Sequence, residues 1–217
     1  LLDFNDMNLD LRVNAEKTSI KNHDFERVDL IVKGKGKQIS SEVSILEDGS
    51  RNYKVELNLQ DPISQEKKIE ISKLELNLHN RVLTNRKPML ITIAPDKLIV
   101  DEFNIHYNSS SVTANGIYGF DGLINSDLNL SNLNLDEISD ILQLEPPLKG
   151  IVSADISLKG SVDTPNIAAS ISAQNLIYSN FKSDITNLGI NYLDRRLELA
   201  FDIMDEKRPI FSANGTI

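Results

Sequence analysis

The stretch Leu148–Ala173 reads LKGIVSADISLKGSVDTPNIAASISA. Within it, Val152–Leu158 and Ile167–Ile171 alternate strictly between apolar and polar residues. A period of two places successive side chains on opposite faces of a strand, so each run predicts a strand with one apolar and one wet face. Between them lies Lys159–Asn166, where Gly160 and Pro165 are expected to break the ladder and reverse the chain.

The same grammar runs through the whole chain. Strands are expected at Asn8–Val13, Phe25–Val32, Gln38–Leu46, Tyr53–Leu59 and Lys68–Leu78. Leu90–Ala94, Lys97–Tyr107, Ser111–Ile117 and Leu123–Leu133 follow, then Ile151–Leu158, Asn166–Ala173, Asp184–Tyr192, Arg196–Ile203 and Pro209–Ile217. Fourteen runs at such short spacing predict an all-β chain. Gly34–Gly36 and Glu47–Ser50 read as hairpin turns, because Gly and Asp tolerate the positive φ that tight turns require. Asp61-Pro62 ends a strand, since proline cannot donate to a ladder.

One segment departs from period two. In Leu135–Leu144, the residues Leu135, Ile138, Ile141 and Leu142 fall at helical spacing, with Asp136 and Glu137 in the first turn and Pro146-Pro147 as a stop. This predicts one short amphipathic helix near 135–144, lying against a sheet. Recurrence is also visible. Val112–Gly116 (VTANG) returns as Phe211–Gly215 (FSANG), each after an alternating strand, which suggests one supersecondary unit used repeatedly.

Composition narrows the function. Lys and Arg number 23 against 32 Asp and Glu, a net charge of −9, which argues against nucleic acid and against electrostatic docking on anionic lipid. The absence of Cys excludes disulfides, thiolate nucleophiles and zinc–thiolate sites. Trp is absent and aromatics make up 6%, so the apolar face is expected to be aliphatic. No run approaches the ~18 apolar residues of a spanning helix. The chain opens on Leu1 and ends at Ile217 within an alternating run, so 1–217 reads as one continuous β-rich segment of a larger protein.

No catalytic constellation emerges. His23, His79 and His106 are scattered without metal-ligand spacing and read as solvated strand or turn residues. Gly34–Lys37 is basic and glycine-rich but precedes a strand, so it lacks the helix terminus that cradles a phosphate. Asp155, Asp184 and Asp202 occupy polar positions in alternating runs and read as the outer face of a sheet. Asn108–Ser110 and Asn214–Thr216 match N-x-[ST], a pattern that matters only in a eukaryotic secretory protein. No enzyme activity, cofactor or metal is expected.

The apolar stripes have two possible destinations, a sealed sandwich core or an open groove that holds something apolar. The candidate lining from the earlier strands is Leu128, Leu130, Val152, Ala154, Ile156 and Leu158. Ile167, Ala169, Ile171, Ile190 and Tyr192 continue it, and Leu197, Leu199, Phe201 and Ile203 complete it.

The order of elements resembles the C-terminal β-repeat region of the TamB family, within the AsmA-like superfamily. The run Asp127–Leu135, the short helix, Leu148–Gly160, Thr164-Pro165, Ile167–Ala173 and Asn175-Leu176 carry the likeness, with Gly150, Ala154, Ile156, Leu158, Gly160 and Pro165 on the family's motif. The resemblance is best over 112–217. It implies a β-taco, an elongated curved sheet of stacked antiparallel and mixed strands with an apolar concave face, in the periplasm of a diderm bacterium. The parent protein would be anchored in the inner membrane. It would move phospholipid toward the outer membrane and support outer-membrane biogenesis with a TamA-like barrel partner. The polar segments Glu66–Lys68 and Arg81–Lys87 leave open whether a groove extends through the first hundred residues. Two alternatives stand beside this reading. One is a chaperone-like template that captures strands of barrel proteins at an open edge; the other is a structural β-sandwich of a surface protein.

Overall fold

The computed structural model describes residues 7–20, 23–78, 81–206 and 208–217. The expected class holds: the chain is all-β and carries one short helix. Every ladder among the described residues is antiparallel, so the expected mixed pairing is absent there, because most strands follow their neighbours through short reversals. It divides into two compact units, Leu1–Tyr107 and Asn108–Ile217.

The first unit begins as a meander of β1 (Asn8–Ile20), β2 (His23–Lys35), β3 (Gln38–Asp48), β4 (Arg51–Gln60) and β5 (Lys67–Leu78). Two short strands, β6 (Arg81–Thr84) and β7 (Met89–Ile93), then share the far side of β5. β8 (Lys97–Tyr107) pairs beyond both of them. Side-chain amides fill the gap between β6 and β7. Asn85 accepts from the Leu74 amide at 2.7 Å and donates to the carbonyls of Ile71, Ser72 and Lys87. The buried Asn104 accepts from the amides of Arg86 and Lys87 and donates to the carbonyls of Lys87 and Glu102. Two asparagines thus supply the partners that an unbroken strand would have given, so the interruption leaves these backbone groups satisfied. β6 has only four residues and no alternation, and the sequence pattern does not reveal it.

The second unit is a meander of β9 (Ser110–Gly119), β10 (Leu123–Asn134), β11 (Leu148–Ser161), β12 (Pro165–Tyr178), β13 (Phe181–Leu193), β14 (Arg196–Asp205) and β15 (Arg208–Thr216). Gly160 does not break the ladder as expected: it pairs with Pro165, and the chain reverses over Val162–Thr164. The strand tolerates Pro165 because it is the first residue of β12.

The helix α1 (Leu135–Leu142) interrupts the meander between β10 and β11. Asn134 caps it by accepting from the Asp136 amide at 3.0 Å, and Gln143 closes it in the left-handed conformation. Its fastening is polar. Ser139, 2% exposed, donates its hydroxyl to the Leu148 carbonyl at 2.7 Å and accepts from the Leu148 amide at 2.9 Å. One serine therefore satisfies both backbone groups of Leu148 at the start of β11, where no β10 residue pairs with it.

Irregularities gather at that end of the second unit. β10 shifts register between Leu130 and Leu133, with Asn132 left-handed, and β12 shifts against β11 beside Gly150, with Asn175 left-handed. Gly150 has φ +125°, and a Cβ there would stand 2.7 Å from the Gln174 carbonyl oxygen and 2.9 Å from that of Asn175. Both obstacles are backbone, so no side-chain rearrangement relieves them. Gly150→Ala is expected to lose about 2–4 kcal/mol of folding stability in urea unfolding. Gly189→Ala, whose new methyl would meet Ala200 at an ordinary 3.6 Å, should stay within about 1 kcal/mol of the parent.

Candidate functional site: an apolar sheet face

Residues directly opposite one another in an antiparallel ladder lie on the same face, as do residues two apart in a strand. Applied to the second unit, this rule gathers all fifteen predicted lining residues onto one face. One row runs Ala114–Leu128–Ile156–Ala169–Ile190–Leu199 and ends at Gly215. A second runs Val112–Leu130–Ala154–Ile171–Leu188–Phe201 and ends at Ala213. A third joins Leu158, Ile167, Tyr192 and Leu197. In the fourth, Val152 pairs with Ala173, Ala173 with Thr186, Thr186 with Ile203, and Ile203 with Phe211.

The other face is mostly polar, with Ala168, Gly189 and Ala200 as its small apolar members. Thr113, Asn129, Asp155 and Ser170 form one row, and Asn115, Asp127, Ser157, Ala168, Asn191 and Glu198 another. Asp155 is exposed and Asp202 half-buried, both on this face, as the outer-face reading expects; Asn129 donates to Asp155 at 2.6 Å. Asp184 departs from that reading: two residues from Thr186, it has the parity of the apolar rows, exposed near the start of β13, where it accepts from the Glu206 amide at 2.7 Å.

Sequence reasoning left out Val112, Ala114, Ala173, Leu188, Phe211 and Ala213, which fill out the same rows. Their signal was present: Leu188 alternates with Ile190, and Val112 with Ala114. The VTANG and FSANG repeats become β9 and β15, and both turn their first, third and fifth residues to this face.

The first unit carries a comparable face. Leu9, Gly34, Ile39, Leu59, Ile69 and Ile91 make one row; Val13, Leu30, Val43, Val55 and Leu74 make another. The opposite side holds ion pairs: Lys54 lies 2.8 Å from Glu42 across to β3 and 3.2 Å from Glu56 along its own strand.

Burial distinguishes these faces from a sandwich core. Of the fifteen residues only Ala154 is buried; the other fourteen are half-buried. Among the described residues, the buried apolar side chains are Met89, Ala94, Ala154 and Ala173. Face-to-face packing of two sheets about 10 Å apart would bury the inward residues of both. Among the described residues, neither unit has that layer. Where rows carry small side chains, the surface is hollowed. A hollow of 440 Å³ centres on the row through Ala114, Ile156 and Ala169, another of 540 Å³ on Ala169, Leu199 and Gly215, and one of 540 Å³ on Leu9, Gly34 and Ile39.

Among the titratable groups, the strongest shifts lie around the β3–β4 turn. Ser50 and Arg51 hydrogen-bond the Asp48 carboxylate and hold its pKa well below the usual range. Partial burial, reinforced by a hydrogen bond to Glu47 at 2.7 Å, pushes the Tyr53 phenol up to about 12. Of the histidines, His23 is exposed, as expected for a solvated residue. His106 is instead half-buried opposite Thr84, where burial and then the Arg86 charge lower its pKa. His79 lies outside the described residues. Among the described residues, no group of three His, Asp or Glu converges as metal ligands, and no helix is long and apolar enough to cross a membrane.

No family model, no curated protein and no solved structure matches the chain.

The Tyr53 shift has a defined sign. A pKa raised from 10.0 means that the native fold favours the neutral phenol, so its stabilisation is complete below pH 10 and disappears as pH rises through about 12. Spectrophotometric titration of tyrosinate should show one late-ionising tyrosine, and Tyr53→Phe should remove that step.

Proposed function

We propose that the apolar face of the β9–β15 sheet is a non-enzymatic track for lipid acyl chains. In this reading the chain is a segment of an envelope-spanning protein that carries phospholipid between the inner and outer membranes. The observation that supports it is the set of aligned rows of aliphatic side chains left half-exposed, backed by a polar face.

The physics favours transit over tight capture. Each methylene shielded from water contributes about 0.8 kcal/mol, so leaving the face costs an acyl chain far more than moving along it. The middle of the face offers branched aliphatics and alanines, with few directional polar groups to hold the chain in one place. A chain crossing successive strands at about 4.8 Å intervals meets similar surface at each step. The periplasmic location, the inner-membrane anchor of the parent protein and a TamA-like barrel partner rest on the TamB-like order of elements, and are part of the same proposal.

The test is lipid capture. The purified chain is expected to retain phospholipid detectable by mass spectrometry after mild extraction. Ile156→Asp and Leu199→Asp should each lower that yield about tenfold while the far-UV circular dichroism stays that of a β-sheet. Asp155→Asn, on the opposite face, should leave it unchanged. Parental yields in both aspartate variants would sink the proposal.

A further inference from the structure

Resting on the acyl-chain reading, the charge pattern around the same face points to the class of lipid headgroup. We infer that the β9–β15 sheet takes a zwitterionic phospholipid in preference to an anionic one.

The second unit holds seven Lys and Arg against fourteen Asp and Glu, a net charge of −7; the first holds sixteen against eighteen, a net charge of −2. The arrangement matters more than the total. The charges more than two residues from a strand end, Asp127, Asp155, Asp184 and Asp202, are all acidic; Asp127, Asp155 and Asp202 lie on the polar face, whereas Asp184 has the parity of the apolar rows near the start of β13. Every basic side chain described in this unit lies within two residues of a strand end or in a turn, along with acidic ones.

In a meander, alternate hairpins fall along the same rim. On one rim the β9–β10 turn carries Asp121, the β11–β12 connection carries Asp163 with Lys159 nearby, and the β13–β14 turn carries Asp194, Arg195 and then Arg196. All six are exposed. Arg196 pairs with Glu198 at 3.3 Å, whereas Lys159, Arg195, Asp163 and Asp194 form no ion pair among the described residues. The opposite rim is also mixed, with Lys149, Lys182 and Arg208 beside Asp184, Asp205 and Glu206.

A lipid whose chains lie on the apolar face must place its headgroup at a rim, because the middle of the face has little to replace the water a phosphate would lose. A headgroup of phosphate and ammonium finds both signs at the rim, three basic and three acidic side chains on the first. A headgroup with only negative charge finds each basic residue of that rim beside an acidic one, Lys159 near Asp163, Arg195 next to Asp194 and Arg196 paired with Glu198, and enters the field of a net negative unit. Charged residues at hairpin tips are solvated, so the preference is modest and screened by salt.

The experiment offers the intact chain vesicles containing equal amounts of two photoactivatable phospholipids. They share acyl chains and differ only in headgroup, phosphatidylethanolamine or phosphatidylglycerol. At low ionic strength the ethanolamine lipid should crosslink about threefold more, and the ratio should fall toward one in 0.5 M salt, where the Debye length is about 4 Å. Asp163→Lys with Asp194→Asn gives the rim a positive excess and should move the ratio toward phosphatidylglycerol. Equal crosslinking, a glycerol preference, or a ratio insensitive to those substitutions overturns the headgroup assignment and leaves the acyl-chain track standing. Crosslinking with neither lipid overturns both.

Discussion

Cross-strand register is the constraint on which this protein depends. Because side chains alternate with a period of two, a slip of one residue between neighbouring strands would carry a whole apolar set to the wet face. Strands β9 to β15 hold one phase across their central positions, so Leu128, Ile156, Ala169, Ile190 and Leu199 become neighbours although up to 71 positions separate them in sequence. The short reversals at Asp194-Arg195 and Val162–Thr164 fix that phase locally. Antiparallel pairing then transmits it from strand to strand.

The register shifts are confined mostly to strand ends in the second unit, which protects the central rows. Gly150, Asn132 and Asn175 adopt left-handed or otherwise glycine-favoured backbone near one rim, and the central rows pair without interruption. A bulge adds local twist and frees a backbone group. Here freed groups find side-chain partners: the Asn132 amide donates to Ser153, and the Asn132 carbonyl accepts from Ser110. Ser139 performs the same service for Leu148 at the edge where the helix replaces a strand. Small polar residues at such points keep the sheet's irregularities hydrogen-bonded while the apolar rows stay continuous.

Much of this was legible in the sequence, and the misses have physical causes. The fourteen alternating runs each have a strand in the structure, because a half-buried strand must alternate whatever its partners are. Most of the real strands run longer, since ladders continue through polar residues to the turns; β7, β8 and β15 match the expected lengths. β6 was invisible because Arg81–Thr84 owes its pairing to β5 and to the asparagine-filled gap beside it. The helix was placed correctly against a strand of the sheet, but the polar contact that fastens it was not visible in the apolar spacing. Apolar spacing predicts a helix lying on a sheet, and a buried serine hydroxyl fastens it to one backbone residue of β11. The comparable face in the first unit is also written in the alternation of Tyr53–Leu59 and Ile69–Leu76, whose other side carries lysines and glutamates.

The sequence by itself determined the fold class, the turns and which side chains of each strand share a face, because alternation and turn chemistry act over a few residues. It also determined a lining set whose members share one face of the β9–β15 sheet. Only the tertiary structure decided that those sets align into rows and that, among the described residues, no second sheet within the unit seals them. Those outcomes depend on register and layer packing, which arise between segments far apart in the chain. A strand with one apolar face has the same pattern whether that face is covered or open. The half-buried state of Ile156, Ile190 and Leu199 is therefore a property of the folded molecule alone.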